Sequence, residues 1–350
     1  MAAYTTINKP SLYFKPKLYT GNGSNDHAIT GVGHQPDWVW IKAISQSTYN
    51  HMVFDAVRGQ YKLIRPDLNN AESTDTSGVE SFDTDGFTTN NGGYTNGSGV
   101  NFVSWNWKAG TTGSGTTTGS GTGKAYSYSV NTTAGFSIVK YLGNGSAGHT
   151  IPHHLGSVPK MIIVKRLDTG GSSFVVYHNS IGAEKILILD STSAQVDNTF
   201  WNDTAPTSSV FSVGTQGDCN NSSGTYIAYC FAEKRGYSKF GTYTGNGHAN
   251  GTFIYTGFKP AFIMVKSATS VTEWHMSDTA RRPENPNNSY LSASSSAAEN
   301  TSNPTDFLSN GVKIKTSNGG WNGSGNTFIY MAFAENPLVD STGKIPATAR

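Results

Sequence analysis

One unit is written three times in this chain. That constrains the fold more than any other feature, because a repeated unit must bury its own apolar face or stack it on its neighbours. The opening motif Tyr-x-Gly-Asn-Gly occurs at residues 19–23, 141–145 and 243–247. Downstream of each lies an apolar run that begins at proline and ends in lysine: Pro36-Asp-Trp-Val-Trp-Ile-Lys42, Pro159-Lys-Met-Ile-Ile-Val-Lys165 and Pro260-Ala-Phe-Ile-Met-Val-Lys266. The lysine follows the opening tyrosine by 23, 24 and 23 residues. A closing block starts 83, 85 and 85 residues after that tyrosine: Phe102-Val-Ser-Trp-Asn-Trp-Lys-Ala109, Tyr226-Ile-Ala-Tyr-Cys-Phe-Ala-Glu233 and Phe328-Ile-Tyr-Met-Ala-Phe-Ala-Glu335. Three blocks in one order at near-constant spacing are a tandem triplication.

Each block has a physical reading. The Pro-x-apolar-Lys run is short and continuous, the pattern of a strand buried on both faces. The closing block alternates large with small or polar residues, which suits a strand with one buried face. A Gly/Asn/Ser cluster before each closing block (Asn96-Gly-Ser-Gly99, Asn220-Asn-Ser-Ser-Gly224, Asn322-Gly-Ser-Gly325) reads as a hairpin loop. The middle of a copy, such as His51-Met-Val-Phe-Asp-Ala-Val-Arg58, leaves room for a short helix. Composition agrees with a β protein rich in turns. The chain carries 40 Gly in 350 residues, 12% aromatics and only 14% charged residues, which excludes a solvated disordered chain and disfavours helices. The expected fold is all-β, with three tandem β-sandwich, jelly-roll-like domains of about 90–100 residues.

The copies are joined unequally. Residues 110–123 are purely Gly, Ser and Thr, a composition that reads as a flexible coil spanning ~20 Å. The expected order is a docking arm (1–18), repeat 1 (19–109), a flexible linker (110–124), repeat 2 (125–234), repeat 3 (235–336) and a tail (337–350). Repeats 2 and 3 then form a rigid pair, with repeat 1 tethered to it.

Chemistry-bearing motifs are sparse. Gly143-Asn-Gly-Ser-Ala-Gly148 matches a dinucleotide fingerprint, but no helix start follows and the other copies lack the third glycine, so it reads as a turn. His149, His153 and His154, with His27 and His34 in the first copy, share no Cys or carboxylate cluster and read as ordinary loop histidines. Asp83-Thr-Asp-Gly86 lacks the acidic residue that would complete a calcium loop. No nucleophile elbow or zinc-protease motif is present. The acidic pairs Asp55/Asp278 and Glu233/Glu335 recur between copies, which argues for structural roles. No catalytic residue, cofactor site or metal site is expected. Cys219 and Cys230 read as free thiols. Tyr94 and Trp321, each leading into the cluster before its closing block, are the candidate ligand-binding residues, as rings able to stack on a sugar or to plug the sandwich end. A net charge of +2 leaves no nucleic-acid footprint. No apolar stretch is long enough to span a membrane, and the first residues hold no apolar signal core, so the chain reads as made in a cytoplasm.

Tandem units carrying Y-x-G-N-G, then P-x-(apolar)4-K, then a W-x-W-K-A or Y-x-x-F-A-E closing block resemble domains of virion structural proteins, of the tail-fibre type, from marine tailed phages and cyanophages in particular. The resemblance covers residues 19–336. Asn131-Thr-Thr-Ala-Gly-Phe-Ser-Ile-Val139, Asn202-Asp-Thr-Ala-Pro-Thr-Ser-Ser-Val-Phe211 and the terminal Gly343-Lys-Ile-Pro-Ala-Thr-Ala-Arg350 strengthen it. It implies a particle component, with other virion proteins as partners and no catalytic residues to carry over. The expected function is non-enzymatic: a tail-fibre or appendage subunit that attaches to the host surface, with a glycan as its ligand, by several weak contacts. An elongated fibre favours a homotrimer. The alternatives are capsid decoration or tail connection and, third, an enzyme degrading surface polysaccharide.

Overall fold

The computed structural model describes residues 4–302 and 305–342. The protein is nearly all-β, and its strand pairs are antiparallel. Each sequence copy contributes one large sheet and one three-stranded sheet. In the large sheets the opening strand, the closing strand and the proline-led strand lie side by side in that order. They are Phe14–Thr20, Asn101–Trp107 and Trp38–Ala43 in the first copy; Phe136–Leu142, Thr225–Phe231 and Met161–Arg166 in the second; and Ser238–Thr244, Thr327–Pro337 and Phe258–Ser267 in the third.

Period-two alternation sends the two faces of these strands into different cores. Val39, Ile41 and Phe102 pack towards the first copy's three-stranded sheet, where they meet Ile29 and Phe87. Ile162, Val164 and Tyr226 do the same in the second copy, and Ile263, Val265 and Phe328 in the third. The opposite faces converge on one central cluster shared by all three copies: Trp38, Trp40, Trp105 and Trp107; Met161, Ile163, Tyr229 and Phe231; Phe262, Met264, Met331 and Phe333. Trp38 stacks on Tyr229 at 4.5 Å, and Trp107 meets Phe333 at 5.6 Å. Burying each large side chain contributes on the order of 2–3 kcal/mol. The closing strands, expected to bury one face, therefore bury both.

Three equivalent backbone hydrogen bonds close these sheets into a ring. The carbonyl two residues beyond each motif lysine accepts an N–H from the neighbouring copy: Glu72 N to Leu167 O (2.9 Å), Gln195 N to Ala268 O (2.8 Å) and Glu299 N to Ile44 O (2.8 Å). The first copy thus donates to the second, the second to the third and the third to the first.

Several expectations are corrected. The Gly/Ser/Thr segment is not a coil: Thr111–Thr116 pairs with Ala125–Asn131 at the edge of the second large sheet, and Thr118–Gly119 pairs with His149–Pro152. Its alternating glycines have cross-strand tyrosines. Gly113 faces Tyr128 and Gly115 faces Tyr126, and a Cβ on either glycine would lie within 3.0 Å of the facing ring. Linker composition describes a chain without such partners; here the rings lie over bare backbone and fix the strand. The first copy is accordingly not tethered beside a rigid pair but shares the central core. Nor is the amino-terminal arm a free docking element. Ile7 and Phe14 enter the central core, and the Tyr4 hydroxyl donates to Gly257 O of the third copy. Ser341 exchanges hydrogen bonds with Asn8, so the start of the tail is also held by the chain; residues 1–3 and 343–350 lie outside the described residues. Finally, the His51–Arg58 stretch forms a strand, Met52–Asp55, not a helix.

Candidate functional site

The polar residues common to the three copies are absorbed by internal bonds. Lys42, Lys165 and Lys266 are fully buried, and their ammoniums donate to loop carbonyls. Lys42 reaches Ala43 O (3.0 Å) and Gln46 O (3.2 Å), Lys165 reaches Ser172 O, and Lys266 reaches Thr272 O (2.9 Å) and, across the seam, Thr192 O (3.0 Å). Burial pushes each of the three down to about 8.

A second shared device holds the Tyr-x-Gly-Asn-Gly loops, and the sequence reading missed it. The clusters read as hairpin loops each begin with the last residue of a one-turn helix: Gly93–Asn96, Gly217–Asn220 and Gly319–Asn322. The terminal asparagines are fully buried. Their Oδ1 atoms each accept the backbone N–H of Asn22, Asn144 or Asn246 at 2.9 Å. The amide of Asn96 donates to Ser24 O, that of Asn220 to Ser146 O and that of Asn322 to His248 O. The opening tyrosines donate to the same helices: Tyr19 to Thr95 O, Tyr141 to Cys219 O and Tyr243 to Trp321 O, at 2.6–2.8 Å. The first glycine of each motif presses on this turn, where a Cβ would come within 2.2–2.3 Å of a carbonyl oxygen. The same asparagine recurring after the same loop in all three copies was the available signal.

A third set lies on the seams. Asp55 and Arg58 form a buried ion pair, as do Asp278 and Arg281 at 2.6 Å. Tyr229 of the second copy donates to Asp55 Oδ2 (2.7 Å), and Trp105 of the first donates to Asp278 Oδ2 (3.2 Å). At the third seam His178 replaces the aspartate and bonds Tyr330 O (3.2 Å).

The candidate rings separate. Tyr94 is exposed, resting on Tyr49 at 4.8 Å. Trp321 is fully buried, stacked on His275 at 5.3 Å and edge-on to Tyr290 at 5.7 Å. As a stacking residue for a ligand, Trp321 is thus corrected to a core plug. The cause is register: Tyr94 is the second residue of its helix and Trp321 the third, and one residue turns a helical side chain by about 100°.

The histidines are used structurally. His149 bonds Asn220 Oδ1 (3.0 Å) and Thr117 Oγ1 (2.6 Å), and His153 meets Thr207 O (3.1 Å). Burial pushes His34, His153 and His178 down to about 4, and His51 and His275 to about 3. Both cysteines are buried free thiols whose titration burial pushes up. Among the described residues no group of three or more His, Cys, Asp or Glu is placed to hold a metal, and no helix is long and apolar enough to cross a membrane.

A family model described as Domain of unknown function (DUF7483) matches residues 9–337. The chain belongs to the DUF7483 family. No curated protein and no solved structure matches it. The DUF7483 match takes in all three copies together with the Gly/Ser/Thr segment, the same stretch that closes around the central core. In this DUF7483 chain the shared motifs build the ring, and exposed residues such as Tyr94 remain as candidates for contact with a ligand.

Proposed function

We propose that this DUF7483 chain is a non-enzymatic structural component of a tailed-phage virion, an appendage subunit that helps attach the particle to the host surface. The fold is read as three jelly-roll-like β-sandwiches fused through one core. One observation carries the reading: the polar groups common to the copies are bonded inward, as in a scaffold. Such a ring holds its three copies at fixed positions, so weak contacts on their outward faces, alike or different, add as avidity without the entropy cost of a floppy tether. Three copies in one chain also supply what a homotrimer of single-copy chains would. The host partner in this reading is a surface glycan, and the other partners are virion proteins.

Capsid decoration is the second reading, favoured by the exposed Gly/Ser/Thr edge strand Thr111–Thr116, whose unpaired backbone is available to a neighbour. Purified chain should bind host cells and slow adsorption of the particle. Failure in both assays removes the attachment role, and labelling at capsid lattice points in electron micrographs selects decoration.

A further inference from the structure

Three copies in one chain serve as each other's control: the motif lysines and the buried asparagines that hold the fold recur in all three. The outward face of the third copy's small sheet breaks that agreement. Its first strand, Phe253–Tyr255, buries Ile254 and exposes Phe253 (40%) and Tyr255 (55%). The strand registers put Ala28 and Thr150 where Phe253 stands, and Thr30 and Pro152 where Tyr255 stands. The two rings are alternate residues on one strand, about 6.7 Å apart.

Both rings rest on glycine. A Cβ on Gly311 would come within 3.0 Å of the Phe253 ring, and Gly257 lies against Tyr255. Covering the glycine does not account for Phe253. In the first copy the matching Gly86 makes the same close approach, to Ile29 O instead of Ile254 O, yet the residue matching Phe253 there is Ala28. Each ring therefore lies against backbone while staying open to solvent.

Beside Tyr255 a cleft of about 330 Å³ opens, lined also by Tyr4, Glu233, Arg235 and Lys239. Glu233 is paired with Lys239 at 2.8 Å. The Arg235 guanidinium lies over the Tyr4 ring at 4.5 Å, which holds it in place, and it is exposed. Lys313 lies opposite Phe253 in the ladder. Among the described residues neither Arg235 nor Lys313 has a carboxylate within ion-pair distance.

We propose that Phe253, Tyr255 and Arg235 form a binding site for an acidic saccharide chain. Sugar rings stack their C–H faces on the two aromatics, and the guanidinium fork takes a uronate carboxylate. The inference rests on the attachment reading and names its ligand class and site. The test is affinity electrophoresis of the full chain through gels containing polygalacturonate, alginate or neutral dextran. The acidic polymers should retard the chain and dextran should not. Tyr255→Ala and Arg235→Gln should each weaken retardation about tenfold, a loss of ~1.4 kcal/mol, while Val271→Ala, at an exposed apolar residue outside the cleft, leaves it unchanged. No retardation by either acidic polymer, or retardation that both variants preserve, overturns the site. Host-cell binding separates the two claims: a Tyr255→Ala chain that binds cells like the parent sinks this site and spares the attachment role. A parent chain that does not bind cells sinks the attachment role itself.

Discussion

Removing the carboxylate of Asp55 should damage the ring at one defined seam. Asp55 and Arg58 have no side-chain exposure, and Asp55 also accepts the backbone N–H groups of Val57 (3.1 Å) and Arg58 (2.9 Å) and the hydroxyl of Tyr229 from the second copy. Asp55→Ala leaves a buried guanidinium with Glu72 (3.3 Å), the Val53 carbonyl (3.1 Å) and the Tyr229 oxygen beside it. Breaking a buried pair from one side costs about 3–5 kcal/mol, and orphaning the Tyr229 hydroxyl adds ~1–3 kcal/mol. Against a total stability of ~5–15 kcal/mol, that is about a quarter or more. Tyr229→Phe alone should cost only ~1–2 kcal/mol, because the carboxylate keeps its other partners. The decisive quantity is the coupling in a double-mutant cycle, read from guanidinium unfolding midpoints and slopes. A hydrogen bond to a charged group predicts ~1.5–3 kcal/mol. The longer Trp105–Asp278 bond, probed with Trp105→Phe and Asp278→Ala, should couple less, and the neutral His178–Tyr330 bond should matter least. Additivity of Asp55→Ala and Tyr229→Phe within ~0.5 kcal/mol would refute the reasoning, since Tyr229 would then contribute nothing through this seam.

Three further outcomes follow from the same geometry. Acid should unfold the protein steeply: the five buried histidines held at about 3 to about 4 are neutral when folded but bind protons at ~6.5 when unfolded. Their stabilisation is complete above pH ~6.5 and falls by about 1.4 kcal/mol per histidine per pH unit below it, down to their folded values. Burial-raised Asp37, Asp67 and Asp190 offset part of this, and a denaturant midpoint that stays flat from pH 6.5 to 5 contradicts it. Trp321→Ala should cost ~3–5 kcal/mol as a core cavity, whereas Tyr94→Ala should cost under ~1 kcal/mol, and equal costs would place the two rings in similar settings. Gly113→Val should cost ~1–3 kcal/mol by crowding the Tyr128 ring, and an unchanged midpoint would mean that the ring does not pin this strand.

What the sequence disclosed, and what it hid, divides along the range of the interaction. Repeat spacing and period-two alternation are local along the chain, so the triplication and the two-faced burial of Trp38–Ala43 were legible. The partner of a strand is not local. Residues 110–123 look like a tether because nothing within them tells that Tyr126 and Tyr128 lie across from Gly115 and Gly113. Ring closure was hidden for the same reason: repeats number the copies without saying whether they stand in a row or meet. One hint was present in Trp105 and Trp107, large aromatics on one face of a strand whose other face carries Phe102, more apolar surface than a one-sided strand needs. At the candidate site, Tyr94 and Trp321 were matched by their distance from glycines, while the helical turn that decides exposure is set by the buried Asn96 and Asn322.

The seams show why agreement and divergence between the copies carry different information. Tyr229, Trp105 and Met331 occupy matching positions in the closing strands. Two of them donate a hydrogen bond across a seam to aspartates that are already paired with arginine. Met331 has no donor, and an aspartate facing it would keep an unanswered acceptor in the central core. At that seam the facing residue is His178, whose Nδ1 accepts from Ser180 N, leaving Nε2–H to donate to the Tyr330 carbonyl. Donor and acceptor have exchanged sides together, as a closed ring requires, because a seam residue can change only if the copy across from it changes too. An outward position has no such partner. Ala28, Thr150 and Phe253 differ in size and chemistry, and their ladder partners Thr88, Ser212 and Lys313 lie within the same copy. Divergence there needs no answering change in another copy, so the site proposed on the outward face of the third copy asks nothing of the seams.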